Sequence, residues 1–152
     1  MDERTKKVLA SLQTQCARRE YCSADMSAKA LTRLEGDSQA AAEVMEALVR
    51  DRYVDDARYA AAFARDKAQL DGWGPVKIRY ALRAKKVEGH FIDAALAEVD
   101  TDKADERLRG LLEARWKMLK GDPQARLKLI RFALSRGYEY AQIDALIREI
   151  SA

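Results

Sequence analysis

Two adjacent carboxylates, Asp55 and Asp56, are the strongest candidates in the chain for metal or acid–base chemistry. They stand in the stretch RYVDDARYAAAFARDK, just before an aromatic and alanine-rich run. A metal site would need further ligands converging from elsewhere in the chain, and no histidine stands near this pair. A carboxylate before the first apolar position of a helix accepts backbone N–H bonds and meets the positive end of the helix dipole. The sequence therefore predicts helix caps at Asp55 and Asp56 and no metal site.

The other candidates for catalysis are weaker. The glycines of Gly72-Trp73-Gly74 resemble a phosphate-binding loop, but no strand precedes them and no Lys-Ser/Thr follows, so we expect a turn between helices. His90 is the only histidine, which excludes a His-Glu-x-x-His metal site. Cys16 and Cys22 are the only cysteines and are expected to be free thiols in a reducing cytoplasm, with a disulfide as the alternative. These residues predict a protein that is not an enzyme and uses no cofactor.

The strongest local signal is positive charge. The segment VKIRYALRAKKV contains no acid and five cations, namely Lys77, Arg79, Arg83, Lys85 and Lys86. On a helix with about 100° per residue, Arg79, Arg83 and Lys86 fall within about 60° of one another. A second basic stretch runs from Arg115 to Arg136 and is interrupted by a single acid, Asp122. Such clustering favours an anionic partner, DNA or an acidic protein surface, and a solvated helix face is the alternative.

The elements that position these residues are predicted to be helices. The chain has 152 residues, 35% of them charged, and a net charge of +3. Its commonest residues, Ala, Leu, Arg, Lys and Glu, are strong helix formers. No stretch approaches the roughly 18 apolar residues of a membrane span. The charged N-terminus MDERTKK does not resemble a secretory signal. We expect an all-α protein of the cytoplasm with no membrane partner.

Turn signals divide the chain into about nine helices of ordinary length. Ser23 and Asp122 are predicted N-caps, with Pro123 at the first helical position, and Gly36 and Gly137 are predicted stops. A shift of 51 positions places Ile78 on Leu129, Val87 on Tyr138, Glu88 on Glu139 and Ile92-Asp93-Ala94 on Ile143-Asp144-Ala145. This repetition predicts three tandem three-helix repeats, residues 1–54, 55–100 and 101–152, in an elongated, curved helical array. A single globular nine-helix bundle is the alternative.

The stretch from Arg52 to Leu96 resembles the RecX family of bacterial regulators of the RecA recombinase. The resemblance rests on YVDDARYAAAFARDK, GWGPVKIRYALRAKKV and FIDAAL, which follow the order and spacing of the central module of that family. SADMSAKALTRLEG resembles the opening unit of the family. Lys86 stands where the family has the glycine of Lys-Gly-Val, and a lysine disfavours a left-handed backbone. The conformation at Lys86 is therefore an open question at the level of sequence.

The resemblance implies a non-enzymatic, monomeric protein of three-helix repeats that lodges in the groove of the RecA–DNA filament. It further implies inhibition of strand exchange, ATP hydrolysis and repressor cleavage. The implied partners are the RecA filament and single-stranded DNA without sequence preference, with double-stranded DNA as a further candidate. The candidate contact residues are Tyr53, Arg58, Arg65, Lys77, Arg79, Arg83, Lys85 and Lys86, with a second basic face at Arg126, Lys128, Arg131 and Arg136.

Two other classes of function stay open at this point. A nonspecific DNA-binding protein would need no recombinase, and its binding would weaken steeply with salt. A helical-repeat scaffold for an unrelated protein would bind neither DNA nor filament. The chain has no recognition-helix or zinc-finger motif, so reading of a base sequence is not expected.

Overall fold

Nine α-helices and no β-strand make up the protein in a computed structural model that describes all 152 residues. The helices are α1 (Glu3–Arg18), α2 (Ser23–Arg33), α3 (Ser38–Arg50), α4 (Asp56–Gln69), α5 (Pro75–Ala84), α6 (Gly89–Ala97), α7 (Thr101–Met118), α8 (Ala125–Ser135) and α9 (Tyr140–Ser151). The all-α prediction and the number of helices are confirmed. None of the nine helices combines the length and the apolar composition needed to cross a membrane.

The helices form two compact units with separate cores. The first unit comprises Met1–Ala62 and Leu82–Ala95, and the second comprises Phe63–Ala81 and Leu96–Ala152. The first core is built from α1, α2 and α3 around the fully buried side chains of Leu12, Met26, Leu34, Val44 and Leu48. The second is built from α7, α8 and α9 around Leu108, Leu112, Leu129, Ala133 and Ile143. The predicted repeat boundaries and the curved shape stay predictions.

Left-handed corners recur every 51 residues along the backbone. Glu35, Lys86 and Gly137 follow α2, α5 and α8 with φ values of 54°, 60° and 91°. After each corner the next residue donates its N–H to a carbonyl five positions back, as Schellman caps do. These bonds are Gly36 to Leu31 at 2.9 Å, Val87 to Leu82 at 3.2 Å and Tyr138 to Ala133 at 3.2 Å. The repetition that the letters indicate in the last two repeats therefore extends to the first.

The corner at Lys86 answers the question raised by its sequence. Lys86 adopts the left-handed conformation with φ 60° although it is not glycine, and its side chain is exposed. This conformation costs a non-glycine residue about 1–2 kcal/mol. The Val87 N–H still reaches the Leu82 carbonyl, so the turn keeps the capping bond that a glycine would allow. The surrounding fold, rather than the preference of the residue, sets the backbone here.

Asp55 and Asp56 cap two different helices. The Asp55 side chain accepts the Arg58 N–H at 3.1 Å and thereby caps α4. The Asp56 carboxylate instead accepts the backbone N–H of Ser23 at 2.7 Å and the Ser23 hydroxyl at 2.5 Å, both at the start of α2. Cys22, the residue at the N-cap position of α2, makes no side-chain cap bond. The structure differs from the sequence-based expectations on two points. Asp56 does not cap α4, and Ser23 donates hydrogen bonds to a capping carboxylate instead of serving as the N-cap of α2.

Removing the Asp56 carboxylate should measurably destabilise the protein. Asp56→Ala leaves the Ser23 N–H and hydroxyl without their acceptor, so we expect a loss of about 1–2 kcal/mol in the free energy of unfolding, measured with urea. Asp66→Ala is the matched control, because Asp66 is exposed and its carboxylate pairs with Arg65 at 3.6 Å on the same helix. Its change should stay within about 0.5 kcal/mol. Equal stability of the two variants would show that the Asp56 contact to α2 contributes nothing.

Asp122 closes a turn ahead of α8. Its carboxylate accepts the Gln124 N–H at 2.8 Å and the Lys128 ammonium at 2.6 Å. The helix begins at Ala125 with Gln124 at the N-cap position, so, contrary to the prediction from the sequence, Asp122 is not the N-cap and Pro123 is not the first helical residue. The bond from Gln124 turns the chain across Pro123 before the helix starts, which accounts for the difference. The hydrogen bond from Lys128 also holds the pKa of Asp122 below its usual value.

Candidate nucleic-acid interface

The start of α5 and the end of α8 meet through two glycines in the second unit. Gly74 donates its N–H to the Arg136 carbonyl at 2.7 Å, and Val76 donates to the Gly137 carbonyl at 2.9 Å. A Cβ atom on Gly137 would lie 2.2 Å from the Lys77 Cβ, and one on Gly74 would lie 2.4 Å from the Gly137 oxygen. The backbones therefore approach more closely than any side chain allows. This junction brings Lys77 beside Arg136, from two basic stretches that are separate in the sequence.

Around the junction lies a group of cations and aromatic rings that we call the basic–aromatic cluster. Its members are Lys67, Trp73, Lys77, Arg115, Phe132 and Arg136. The Lys77 and Lys67 ammonium groups lie 4.4 Å and 4.7 Å from the centroid of the Trp73 ring. The Arg115 and Arg136 guanidinium carbons lie 3.7 Å and 5.2 Å from the centroid of the Phe132 ring. Each ring therefore holds two cations.

Cations held on rings keep their charge available to an anion, because the ring is neutral. Such contacts contribute only about 0.5–1 kcal/mol at exposed sites. Lys77 and Arg115 make no ion pair, and Arg136 donates to the Asp71 backbone carbonyl at 3.1 Å rather than to a carboxylate. Lys67 alone is paired, with Asp71 at 3.0 Å. The cluster thus presents three cations without carboxylate partners, an arrangement suited to phosphate groups.

Several predicted contact residues are instead engaged in ion pairs. The pairs are Lys85–Asp25 at 2.9 Å, Arg58–Glu20 at 2.6 Å, Lys128–Asp122 at 2.6 Å, Arg65–Asp66 at 3.6 Å and Arg126–Asp144. Their hydrogen bonds shift the pKa of the partners in the expected directions: Asp25 raises the pKa of Lys85, and Arg126 lowers that of Asp144. These cations are less available to an anionic ligand than those of the basic–aromatic cluster.

The remaining predicted residues divide into exposed and packed positions. Arg83 and Lys86 in the first unit, and Arg131 in the second, are exposed and have no ion-pair partner. Arg79 is half-buried and has an interaction partner. Tyr53 is partly buried against the first core, and its carbonyl lies 3.4 Å from the Arg58 guanidinium. Arg83 and Lys86 therefore remain the accessible members of the predicted basic face.

Sequence reasoning missed Trp73 and Phe132 as the rings that organise these cations. For Phe132 the signal was present as spacing, because residues four apart lie on the same side of a helix and Arg136 follows Phe132 by four at the end of α8. Trp73 precedes the first residue of α5, so helical spacing gives no signal for its contact with Lys77. Phe63, four positions before Lys67, meets the edge of Trp73 with centroids 6.2 Å apart. The contact of Arg115 with Phe132 joins two helices and has no such local signal.

The aspartate pair and the two cysteines lie in the first unit. A groove of about 410 Å³ in the first unit is lined by Ser23, Val54, Asp55, Asp56 and Phe91, among others, and both of its aspartates serve as helix caps. No three His, Cys, Asp or Glu side chains gather where they could hold a metal ion. Cys16 and Cys22 are buried free cysteines rather than a disulfide, and burial raises the pKa of both thiols.

Comparison with known families gives the decisive match. The family model described as "RecX, second three-helix domain" matches residues 55–96, and "RecX, third three-helix domain" matches residues 103–147. The chain belongs to the RecX family. Both matches fall within the predicted second and third repeats, and they support the three-helix organisation of this RecX-family protein.

Similar proteins carry the same family name. "Regulatory protein RecX" of Bacillus mycoides is 30% identical over 110 residues, which cover 71% of this chain and 41% of that protein. The protein of the same name from Clostridium botulinum (strain Alaska E43 / Type E3) is 30% identical over 117 residues, covering 74% of this chain and 54% of its own length. The chain therefore spans about half the length of the curated relatives it matches.

A crystal structure of RecX from Lactobacillus salivarius superposes with a TM-score of 0.89 and covers 99% of both chains at 19% identity. At this identity the likeness supports the fold and carries no statement about partners.

Proposed function

We propose that this RecX-family protein is a non-enzymatic regulator that binds RecA–DNA filaments and lowers strand exchange, ATP hydrolysis and co-protease activity. The observation that carries the proposal is the set of three cations in the basic–aromatic cluster that lack carboxylate partners and lie over aromatic rings, namely Lys77, Arg115 and Arg136. The name of the curated relatives, "Regulatory protein RecX", is in keeping with a regulator rather than a catalyst.

The chemistry of the cluster suits a filament that exposes nucleic acid. Phosphate groups bind Lys and Arg without reference to base sequence, and each contact releases counterions. Binding should therefore weaken with salt, with a log–log slope of about −0.7 per phosphate contact on single strands. In the first unit, the exposed Arg83 and Lys86 provide a second basic surface for DNA or for an acidic part of RecA. We expect the protein to act as a monomer in the cytoplasm.

A second candidate function is nonspecific DNA binding without a recombinase. The basic–aromatic cluster itself favours this function, because proteins that bind single strands commonly combine cationic side chains with aromatic rings on which bases stack. The two functions differ in what they require. A filament regulator binds the RecA–DNA complex more tightly than the same DNA alone, whereas a simple DNA-binding protein does not.

Co-sedimentation separates these candidates. We expect the protein to pellet with RecA assembled on single-stranded DNA at concentrations where it leaves naked DNA mostly unbound, since the filament offers both protein and phosphate contacts. RecA without DNA is the second control. Equal affinity for the filament and for naked DNA would favour the simple DNA-binding function. Failure to pellet with either would contradict both and leave a scaffold for another partner.

A further inference from the structure

The setting of Trp73 gives the basic–aromatic cluster a property beyond charge. Trp73 is half-buried rather than enclosed in a core. The backbone around it is fixed on both sides, since the Trp73 N–H bonds to the Lys67 carbonyl at 2.9 Å and the Gly74 N–H bonds to the Arg136 carbonyl. The edge contact with Phe63 further limits its movement. An aromatic ring held rigidly at a surface rich in cations is a preorganised contact for a flat ligand.

The two ammonium groups over this ring differ in their other contacts: Lys77 makes no ion pair, whereas Lys67 is paired with Asp71 at 3.0 Å and would exchange that carboxylate for a phosphate. Lys67 and Lys77 lie at 4.7 Å and 4.4 Å from its centroid, and a cation on a flexible four-carbon chain can leave a ring for a nearby phosphate and still have a partner. A nucleobase can then take the vacated place, because bases stack on aromatic side chains whatever their sequence. In the complex a phosphate would replace the ring as the partner of the ammonium group, and a base would replace the ammonium group as the partner of the Trp73 ring.

We propose that Trp73 is a stacking platform for one base of a single-stranded nucleic acid, and that Lys67 and Lys77 move from the ring to the flanking phosphates as the base arrives. The proposal rests on the proposed function only in taking the basic–aromatic cluster as its nucleic-acid contact. It adds a preference for single strands, since the bases of a duplex are already stacked on one another. A duplex can reach the cations through its phosphates but not the face of the ring.

Tryptophan fluorescence tests the stacking step directly. The chain has two tryptophans, so Trp116→Phe leaves Trp73 as the only reporter. In this variant we expect a 20-nucleotide oligothymidylate to quench the emission of Trp73 as it binds, whereas a duplex of the same length should bind with little quenching. Absence of quenching by saturating oligothymidylate would overturn the proposal. Oligodeoxyuridylate and oligouridylate of the same length differ only in the 2′-hydroxyl of the sugar: weaker binding of the oligouridylate assigns the site to DNA, and equal binding assigns it to single strands of either kind.

Substitution of the ring provides a second, independent measurement. Trp73→Leu should weaken binding of oligothymidylate about 5- to 100-fold and change duplex binding by less than about twofold. Trp73→Phe retains a smaller ring and should lie between wild type and Trp73→Leu. An equal loss on single strand and duplex would contradict stacking and assign Trp73 a role in positioning the cations. If Trp73→Leu does not fold, Trp73→Phe and the quenching measurement still show whether a base stacks on Trp73.

The role of the lysines appears in the salt dependence. Replacing Lys67 and Lys77 with Gln should lower the log–log salt slope on single strands by about 0.7 for each phosphate that no longer meets a lysine, while leaving the quenching of Trp73 at saturation. An unchanged slope would contradict the transfer of the lysines to phosphate. All of these measurements are made without RecA. Quenching without preferential filament binding would refute the proposed function alone, and filament binding without quenching would refute the inference alone.

Discussion

Gly137→Ala should lower the free energy of unfolding by about 2–4 kcal/mol, the largest effect on stability that we expect from a single methyl group. Its φ of 91° disfavours any side chain, and the added Cβ would lie 2.2 Å from the Lys77 Cβ and 2.6 Å from the Lys77 nitrogen. Those atoms belong to the first turn of α5, so relief requires the helix to move. The movement would also break the Val76 N–H bond to the Gly137 carbonyl, which is 2.9 Å long.

Gly121→Ala is the matched control for this prediction. Gly121 has a φ of 86°, close to that of Gly137, but no atom lies within 4 Å of the position of its Cβ. It should therefore show only the conformational cost, about 1–2 kcal/mol. Guanidinium denaturation followed by circular dichroism measures both. If the two variants lose equal stability, the close approach of α5 and α8 is not a tight contact in solution.

Reversing two charges should abolish most binding to the RecA filament while leaving the fold intact. We expect Arg83→Glu combined with Lys86→Glu to weaken filament affinity about tenfold or more, because attraction to phosphate or acidic side chains becomes repulsion. Both residues are exposed and have no ion-pair partner. Glu35 already occupies the corresponding left-handed corner of the first repeat with φ 54°, so a glutamate is compatible with the backbone at position 86. Arg79 is left unchanged because it has an interaction partner.

Lys7→Glu combined with Arg18→Glu supplies a control with the same change of charge. Each double variant changes the net charge from +3 to −1, and Lys7 and Arg18 are exposed on α1 of the same unit. Both variants should melt close to wild type, since surface changes usually stay within about 0.5 kcal/mol each. Filament co-sedimentation and RecA ATP hydrolysis measure the difference. A similar loss in both variants would indicate a general effect of net charge and would contradict a contact surface at Arg83 and Lys86.

The features that could be predicted from the sequence are those with local causes. Three such features are the helices themselves, the corner at Gly137 and the cap at Asp55. Each depends on residues within one or two helical turns of each other. The partner of Asp56 lies 33 positions away at Ser23, and sequence spacing gives no indication of it. Rules based on neighbouring residues therefore predict that Asp56 caps α4, whereas its carboxylate caps α2.

The candidate site shows the same division. Sequence spacing marks the positive charge of α5 but cannot show that Lys85 is paired with Asp25, 60 positions away. The meeting of Lys77 with Arg136 depends on two glycines that look like ordinary turn residues until the helices are packed. Pairs four residues apart on one helix, such as Phe63 with Lys67 on α4, carried a readable signal.

The recurrence of left-handed corners at Glu35, Lys86 and Gly137 has a consequence for how such a chain can change length. An acid, a base and a glycine adopt one backbone conformation at equal intervals, as expected if an ancestral segment was copied and its side chains then diverged. Gain or loss of a whole segment in the gene would leave every corner in register with its helix. An insertion or deletion of another length within a helix would displace the next corner from the end of that helix, whereas a whole segment would not.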